Sequence, residues 1–355
     1  MSIEAHGGRV HEAARILQKS VREIADFSAN LNPCGQPKGL RACLSAAWAD
    51  AVHYPEPDAG PLTAKIAAKR GLDPRTVVPG AGSTPLIYRL VRVLAPRRLA
   101  VLAPAFSEYA AAAAAAGLAA EHVSAPEENG WLVDLPTVER LVALKPDLVF
   151  AARPANPTGR LIPPEPLEAL IEAAESRGFQ LVLDEAFLDF AVGAASLESA
   201  VARRPRLTVL RSLTKIFAVP GLRLGYLAAA PDLADRLRRA GEPWAVSSPA
   251  LAAGLFCLEQ DAFMARAPLV TARLRRRLEA ALAPYGQLTP SDVNYVLFRA
   301  EPARTRKMTA FLFQRGLLVR DAANMPGLGP GWLRFAVRPA PELQRLETAL
   351  EEFDA

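Results

Sequence analysis

Short apolar runs alternate with longer amphipathic segments along roughly the first 240 residues of the chain. Apolar runs bounded by turn-forming residues are typical of buried strands, and the amphipathic segments between them are typical of helices. The predicted strands cover residues 99–104, 147–152, 179–186, 207–212 and 222–229. This order predicts an α/β fold in which helices cover a mostly parallel sheet. Such sheets bind ligands at the carboxyl ends of their strands, so the residues there are the candidates for a site.

The pattern changes after about residue 240. Long helices are predicted over residues 248–260 and 267–282, and shorter strand-like and helical segments follow them. A chain of 355 residues that is 51% hydrophobic can bury one large core and a smaller one. We therefore predict an amino-terminal arm (1–40), a large domain (41–240) and a small α+β domain (241–355).

The charge pattern disfavours nucleic acid as a partner. The net charge is +5, but the basic residues are spread along the chain, and their densest cluster, RLRRR at 273–277, lies in a helical pattern. A solvated helix face explains that cluster best. The excess of arginine suits a small acidic substrate.

The sequence predicts a cytoplasmic protein without a metal site. The start MSIEAHGGRVHEAARIL carries charged residues where a signal peptide would be apolar. The longest weakly polar run, residues 110–120, is too short to span a bilayer and predicts a helix on a core. The three cysteines are odd in number and lack metal-ligand spacing, which fits reduced thiols in a cytoplasm.

Lys215 lies in the string RSLTKIFAVPGLRLGY, at the end of a predicted strand. A partly buried lysine at such a position can form a Schiff base with a carbonyl group. In the same string, Ser212, Thr214 and Arg223 provide the hydroxyl and cationic donors that a phosphate ester needs. The alternative is an exposed loop lysine with polar neighbours.

Asp184 ends an otherwise apolar strand in LVLDEAF. A buried carboxylate is costly unless it meets a cation, and a protonated pyridine nitrogen is such a cation. The alternative is an aspartate that caps the next helix. Upstream, Asn156 lies in the turn RPANPTGR, where its side-chain amide can donate a hydrogen bond to a phenolic ring oxygen. The alternative is that NPTG is only a turn.

The glycine loop PGAGSTPL (79–86) follows a strand-like segment and precedes a helical one. The backbone amides of Gly82, Ser83 and Thr84 can therefore form a cradle for phosphate. Phe106, just after the strand at 99–104, can stack on a ring or belong to the core.

Taken in order, the glycine loop, PAFSEY, NPTG, DEA, SLTK and GLRLGY resemble the class I and II aminotransferase superfamily over most of the chain. The resemblance implies the aspartate-aminotransferase-like fold (PLP fold type I), with a mostly parallel seven-stranded sheet in the large domain, and pyridoxal 5'-phosphate as cofactor. Its implied ring contacts are Lys215 as the Schiff-base lysine, Asp184 as the pyridinium partner, Asn156 as the ring-oxygen donor and Phe106 as the stacking ring. Its implied phosphate ligands are Gly82, Ser83, Thr84, Ser212, Thr214 and Arg223. Tyr54, in HYPEPDAG, matches a tyrosine that reaches the phosphate of a neighbouring subunit, which implies a homodimer with shared active sites.

The amino-terminal strings HGGRVHEAARIL and DFSANLNPCGQP resemble the threonine-phosphate decarboxylases of cobalamin synthesis, which are related to the histidinol-phosphate aminotransferases. The resemblance implies a small phosphorylated amino acid as substrate. The substrate-binding residues that it implies are His6, Gly8, Asn32, Asn156, Arg320 and Arg334.

The implied reaction is decarboxylation of L-threonine O-3-phosphate, and two alternatives stay open. A histidinol-phosphate-type aminotransferase shares the same motifs, and a cofactor-binding protein without turnover is a more remote alternative. Phe187 stands where many of the transaminases carry tyrosine, which favours the decarboxylase. The glycine loop GAGSTP and Ala155 depart from the commoner family pattern, which leaves the substrate open.

Overall fold

The computed structural model describes residues 7–353. Its strands are β1 (Ala25–Asp26), β2 (Val77–Gly80), β3 (Leu99–Ala103), β4 (Ala120–Ser124), β5 (Leu148–Ala152), β6 (Gln180–Asp184), β7 (Leu207–Ser212), β8 (Gly225–Ala228), β9 (Gln287–Thr289), β10 (Tyr295–Arg299), β11 (Leu317–Leu318), β12 (Arg320–Asp321) and β13 (Trp332–Ala336). Its α-helices are α1 (Val10–Leu17), α2 (Leu40–Ala47), α3 (Gly60–Arg70), α4 (Ser83–Leu94), α5 (Glu108–Ala115), α6 (Leu135–Ala143), α7 (Pro164–Arg177), α8 (Leu213–Ile216), α9 (Pro231–Arg239), α10 (Ser248–Cys257), α11 (Asp261–Leu282), α12 (Pro302–Gln314) and α13 (Ala340–Phe353).

A seven-stranded sheet in the order β2-β8-β7-β6-β5-β3-β4 forms the centre of the molecule. Strands β3 to β7 run parallel to one another, whereas β8 is antiparallel to both β7 and β2. The mostly parallel seven-stranded sheet is therefore confirmed, and each of the five predicted strands lies in it. The sequence did not reveal β4, because this edge strand is largely exposed and lacks a continuous apolar run.

The register of this sheet brings candidate residues to one edge. Ala152 pairs with Asp184, Asp184 pairs with Leu210, and Ser212 pairs with Gly225. Because the carboxyl ends of parallel strands meet at the same edge, the ends of β5, β6 and β7 lie side by side. The helix α8, which contains Lys215, begins directly after β7.

A second sheet, antiparallel and in the order β12-β13-β10-β9, packs with α11, α12 and α13 around a separate apolar cluster. Strand β1 pairs in parallel with β11, so the amino-terminal arm is anchored to this part of the chain. Helix α10 packs against α2 and α3, with Gly254 close to Leu62. The predicted division into an arm and two domains stays a prediction.

Among residues 7–353, no helix is both long and apolar enough to cross a membrane.

Candidate active site

A cleft of about 570 Å³, measured with its open mouth, lies at the carboxyl edge of the large sheet. Nine residues predicted from the sequence line it: Ser83, Thr84, Phe106, Asn156, Asp184, Ser212, Thr214, Lys215 and Arg223. They come from segments far apart in the chain. The fold therefore brings together the residues that the motifs suggested one by one, while their individual roles stay predictions.

Lys215 lies half-buried in the short helix α8, not in a loop as its string suggested. Burial lowers the pKa of its amine to about 8, the cations Arg334 and Arg223 act in the same direction, and Asp184 opposes them. The Phe187 ring lies 5.9 Å from Nζ. An amine with this pKa is partly neutral near physiological pH, as a nucleophilic lysine requires.

Asp184 is buried, and its carboxylate contacts neutral donors. Tyr109 donates its hydroxyl to Oδ2 at 2.7 Å, and the Ala186 amide donates to Oδ1 at 2.9 Å. Burial raises the pKa of the Asp184 carboxyl, against the opposing effect of these hydrogen bonds. Within the described part of the chain, no arginine or lysine forms an ion pair with Asp184, which leaves a place for a cationic group of a ligand.

Tyr109 is a residue that sequence reasoning missed. It lies on α5, three positions after Phe106, and its ring stacks on Phe150 with centroids 4.9 Å apart. The aromatic spacing in PAFSEY was its only signal, because the contact with Asp184 joins two distant segments.

Asn156 is held in place by Arg334. The guanidinium donates from Nη1 to Asn156 Oδ1 at 2.5 Å and from Nη2 to the Ser28 carbonyl at 2.6 Å. The Asn156 side chain therefore has its oxygen occupied and its Nδ2 group available as a donor. Burial lowers the pKa of Arg334 to about 10.

The glycine loop and the segment after β7 meet at one end of the cleft. Gly82 precedes α4 in a left-handed conformation (φ 89°), so the first amides of a 12-residue helix point toward this end. Ser212 Oγ and Thr214 Oγ1 lie 2.8 Å apart. A Cβ atom at Gly82 would lie 2.6 Å from Arg223 Nη2, so only glycine lets this cation approach. Amides, hydroxyls and a cation together suit a phosphate group.

Several predicted substrate residues lie on the arm and the second sheet. The Gly8 amide donates to Ser28 Oγ at 2.8 Å, and Asn32 Nδ2 donates to the Ile216 carbonyl at 2.6 Å, next to Lys215. Arg320 and Arg334 are buried register partners on β12 and β13. Two adjacent buried cations favour anionic ligands. His6 lies outside the described residues.

Tyr54 does not line the cleft of its own protomer. The residue is 82% exposed, and the centroid of its ring lies 4.9 Å from that of Trp244. Its predicted contact with a neighbouring subunit stays a prediction.

A family model for aminotransferase class I and II matches residues 24–353, and the chain belongs to this family. Threonine-phosphate decarboxylase of Salmonella typhimurium is 37% identical over 352 residues, covering 98% of this chain and 95% of that protein. Histidinol-phosphate aminotransferase 1 of Dechloromonas aromatica is 33% identical over 353 residues, covering 98% and 94%. The crystal structure of histidinol-phosphate aminotransferase from Sinorhizobium meliloti in complex with pyridoxal-5'-phosphate superposes with a TM-score of 0.87 at 23% identity, covering 99% of this chain and 95% of that one.

The chain is therefore a pyridoxal 5'-phosphate enzyme, and the cleft fits this cofactor. Asp184 forms no ion pair within residues 7–353, and its buried carboxylate suits a protonated ring nitrogen. The glycine loop with Arg223 suits the phosphate, and the amine of Lys215 suits the aldehyde.

Replacing Gly82 with alanine is expected to weaken binding of pyridoxal 5'-phosphate by about tenfold or more, because the new Cβ displaces Arg223. The measurement is the dissociation constant of the cofactor. Gly117→Ala is the matched control, since it places alanine at a similar φ of 75° with nothing within 4 Å. Equal loss of affinity in both variants would assign the effect to backbone strain instead.

The rate at which the cofactor-free protein takes up pyridoxal 5'-phosphate covalently is expected to rise with pH and level off above about 8. The neutral amine reacts, so the rate increases about tenfold per pH unit below the pKa of Lys215. Stopped-flow absorbance gives the midpoint. Arg334→Gln removes a cation that lowers this pKa and is expected to move the midpoint upward. A wild-type midpoint near that of an ordinary lysine would contradict the prediction.

Proposed function

We propose that this chain decarboxylates L-threonine O-3-phosphate to (R)-1-amino-2-propanol O-2-phosphate for the nucleotide loop of cobalamin. The observation that carries the proposal is the pair of buried arginines, Arg320 and Arg334, at matched positions on β12 and β13. A substrate with both a carboxylate and a phosphate provides two anionic groups for two cations. The likeness to threonine-phosphate decarboxylase of Salmonella typhimurium supports the same choice.

The pyridoxal group, when bound, supplies an electron sink for the carbanion that forms as carbon dioxide leaves. In the proposal, Arg320 and Arg334 would bind the two anionic groups of the substrate and so fix its orientation in the cleft. Asp184 would pair with the protonated ring nitrogen of the bound cofactor, and the hydrogen bond from Tyr109 orients Asp184.

Lys215 is the proposed proton donor to the carbon that loses the carboxylate. The bond between the α-carbon and the carboxylate carbon breaks, and a proton from Nζ takes its place. The Phe187 ring next to Nζ limits the access of water to this amine. A proton donor with a pKa of about 8 is suited to work near neutral pH.

The deciding experiment mixes the cofactor-loaded protein with L-threonine phosphate in the absence of any oxo acid. Mass spectrometry then follows release of carbon dioxide and formation of aminopropanol phosphate. Catalytic release that Lys215→Ala abolishes is the expected result. A parallel assay with L-serine phosphate shows how strongly the site prefers the substrate that carries the additional methyl group.

A histidinol-phosphate-type aminotransferase is the second candidate, favoured by the likeness to the protein of Dechloromonas aromatica. Histidinol phosphate has a phosphate but no carboxylate, so it would engage only one of the two arginines. The other would then bind a separate amino-group acceptor, such as a dicarboxylic oxo acid. Absence of carbon dioxide, together with conversion of the cofactor to its pyridoxamine form by histidinol phosphate, would replace the first proposal with this one.

The proposal includes a homodimer with shared active sites. Trp48, Val52 and Tyr54 are 72%, 80% and 82% exposed, and three such large hydrophobic residues within seven positions of the chain favour an interaction surface. A mixture of Tyr54→Ala and Lys215→Ala protomers tests the sharing, provided that each variant alone is impaired. Random pairing should then restore activity to about a quarter of the sites, since one site of each mixed dimer is intact. No restoration in mixed dimers shown to form would contradict a shared site.

A further inference from the structure

A chain of buried ionic groups lies behind the cleft. Glu185 is fully buried, and its Oε1 accepts a hydrogen bond from Arg153 Nη1 at 2.8 Å. Its Oε2 accepts from Arg211 Nη1 at 3.3 Å and from Ser196 Oγ at 2.5 Å. The Leu197 amide also donates to Oε1, at 3.2 Å. One carboxylate, directly after the end of β6, thus joins an arginine directly after the end of β5 to an arginine on β7.

The ionic chain continues across the sheet. Arg211 Nη2 donates to Asp189 Oδ1 at 2.7 Å, and Arg70 lies 3.7 Å from Asp189 and 3.5 Å from Glu198. Tyr226, on β8, donates its hydroxyl to Glu198 Oε2 at 2.7 Å. Three arginines and three carboxylates therefore balance one another across the ends of β5, β6, β7 and β8.

The ionic groups adjoin cleft residues in the sequence. Glu185 directly follows Asp184, and Arg211 directly precedes Ser212. Arg153 follows Ala152, which lines the cleft at the end of β5. Each of these three ionic residues is therefore the chain neighbour of a residue that lines the cleft.

We infer that Glu185 is a positioning residue for the cofactor: by joining Arg153 to Arg211 it sets the spacing of the three strand ends that present Asn156, Asp184 and Ser212. Two of these residues face opposite ends of the cofactor, since Asp184 suits its ring nitrogen and Ser212 its phosphate. A small change in strand spacing would therefore prevent both contacts from forming together.

Stability alone does not account for this arrangement. A buried ion pair rarely stabilises a protein more than well-packed apolar side chains of the same volume, because desolvation offsets the attraction. An apolar core at this place would serve folding equally well. Directional hydrogen bonds from two arginines to one carboxylate, in contrast, fix distances between strands.

The test compares Glu185→Gln with Glu347→Gln. Glu347 is the control, since its carboxylate likewise accepts two hydrogen bonds from arginine, both from Arg277, but it joins α11 to α13 away from the cleft. Release of pyridoxal 5'-phosphate from the loaded protein is measured at a temperature where each variant is folded. Glu185→Gln is expected to raise the dissociation constant by about tenfold or more, and Glu347→Gln to leave it unchanged.

A second readout separates positioning from stability. Glu185→Gln is expected to shift the pH midpoint of the cofactor's visible absorption band, which a structural role elsewhere would not move. Ser196→Ala keeps every charge and removes one hydrogen bond to Oε2, so we expect a smaller shift in the same direction. If Glu185→Gln fails to fold, Ser196→Ala provides the test in its place.

Unchanged cofactor affinity and an unchanged midpoint in folded Glu185→Gln, or in folded Ser196→Ala if the former does not fold, would overturn the inference. An equal loss of affinity in Glu347→Gln would overturn it as well. The inference concerns cofactor binding and is independent of the substrate, so its failure leaves the proposed decarboxylation untouched.

Discussion

Replacing Lys215 with alanine is expected to lower kcat by on the order of 10⁴-fold for whichever substrate the protein accepts. The variant loses the only amine among the residues that line the cleft of the described chain, and with it both covalent attachment of the cofactor and the proposed proton donor. Borohydride reduction followed by peptide mass spectrometry gives a second readout. The wild-type protein should carry the cofactor on the Lys215 peptide, and the variant should carry none.

Lys307→Ala is the control for this substitution, because Lys307 is exposed on α12 and does not line the cleft. It should keep wild-type kcat and cofactor attachment. Attachment to another lysine in the Lys215→Ala variant, with activity preserved, would show that the site had been assigned to the wrong residue.

Replacing Asp184 with asparagine is expected to lower kcat by on the order of 10³-fold. The amide is close in shape to the carboxylate but carries no negative charge, so it cannot keep a proton on the ring nitrogen. The steady-state rate and the visible spectrum of the bound cofactor both measure the change.

The cofactor-free Asp184→Asn protein should unfold at no lower temperature than the wild type. Burial raises the pKa of the Asp184 carboxyl, which means that the folded protein without cofactor disfavours the charged form. Removing the charge relieves this cost at pH values above the pKa. Loss of activity accompanied by a large fall in melting temperature would instead indicate that Asp184 is structural.

The sequence predicts the large sheet well because its central strands are continuous apolar runs. β5 and β6, for example, are buried at every position, and their short length between turn-forming residues indicates strands. Strand β4 and the two-residue strand β1 escape prediction, because exposure or shortness removes the pattern. Pairing across the chain, not local sequence, defines them.

The candidate site, like the sheet, is predicted from the sequence only in part. Lys215, Asp184 and Asn156 lie in short strings with a recognisable local setting, and the fold brings all three to one cleft. The contact of Tyr109 with Asp184 and the ionic contacts of Glu185 join residues of separate segments. A short sequence segment carries no information about contacts with distant segments, so these contacts are seen only in the folded structure.

The pairing of β1 with β11 bears on how the protein is made. Ala25 and Leu317 are register partners, and the Ala336 amide donates to the Phe27 carbonyl. Contacts between opposite ends of a chain form late, because a long loop must close before they stabilise anything. On the ribosome, β1 emerges well before β11 and has no partner until β11 follows it. We therefore expect a nascent chain to assemble the parts that hold the cofactor before it completes those proposed to hold the substrate.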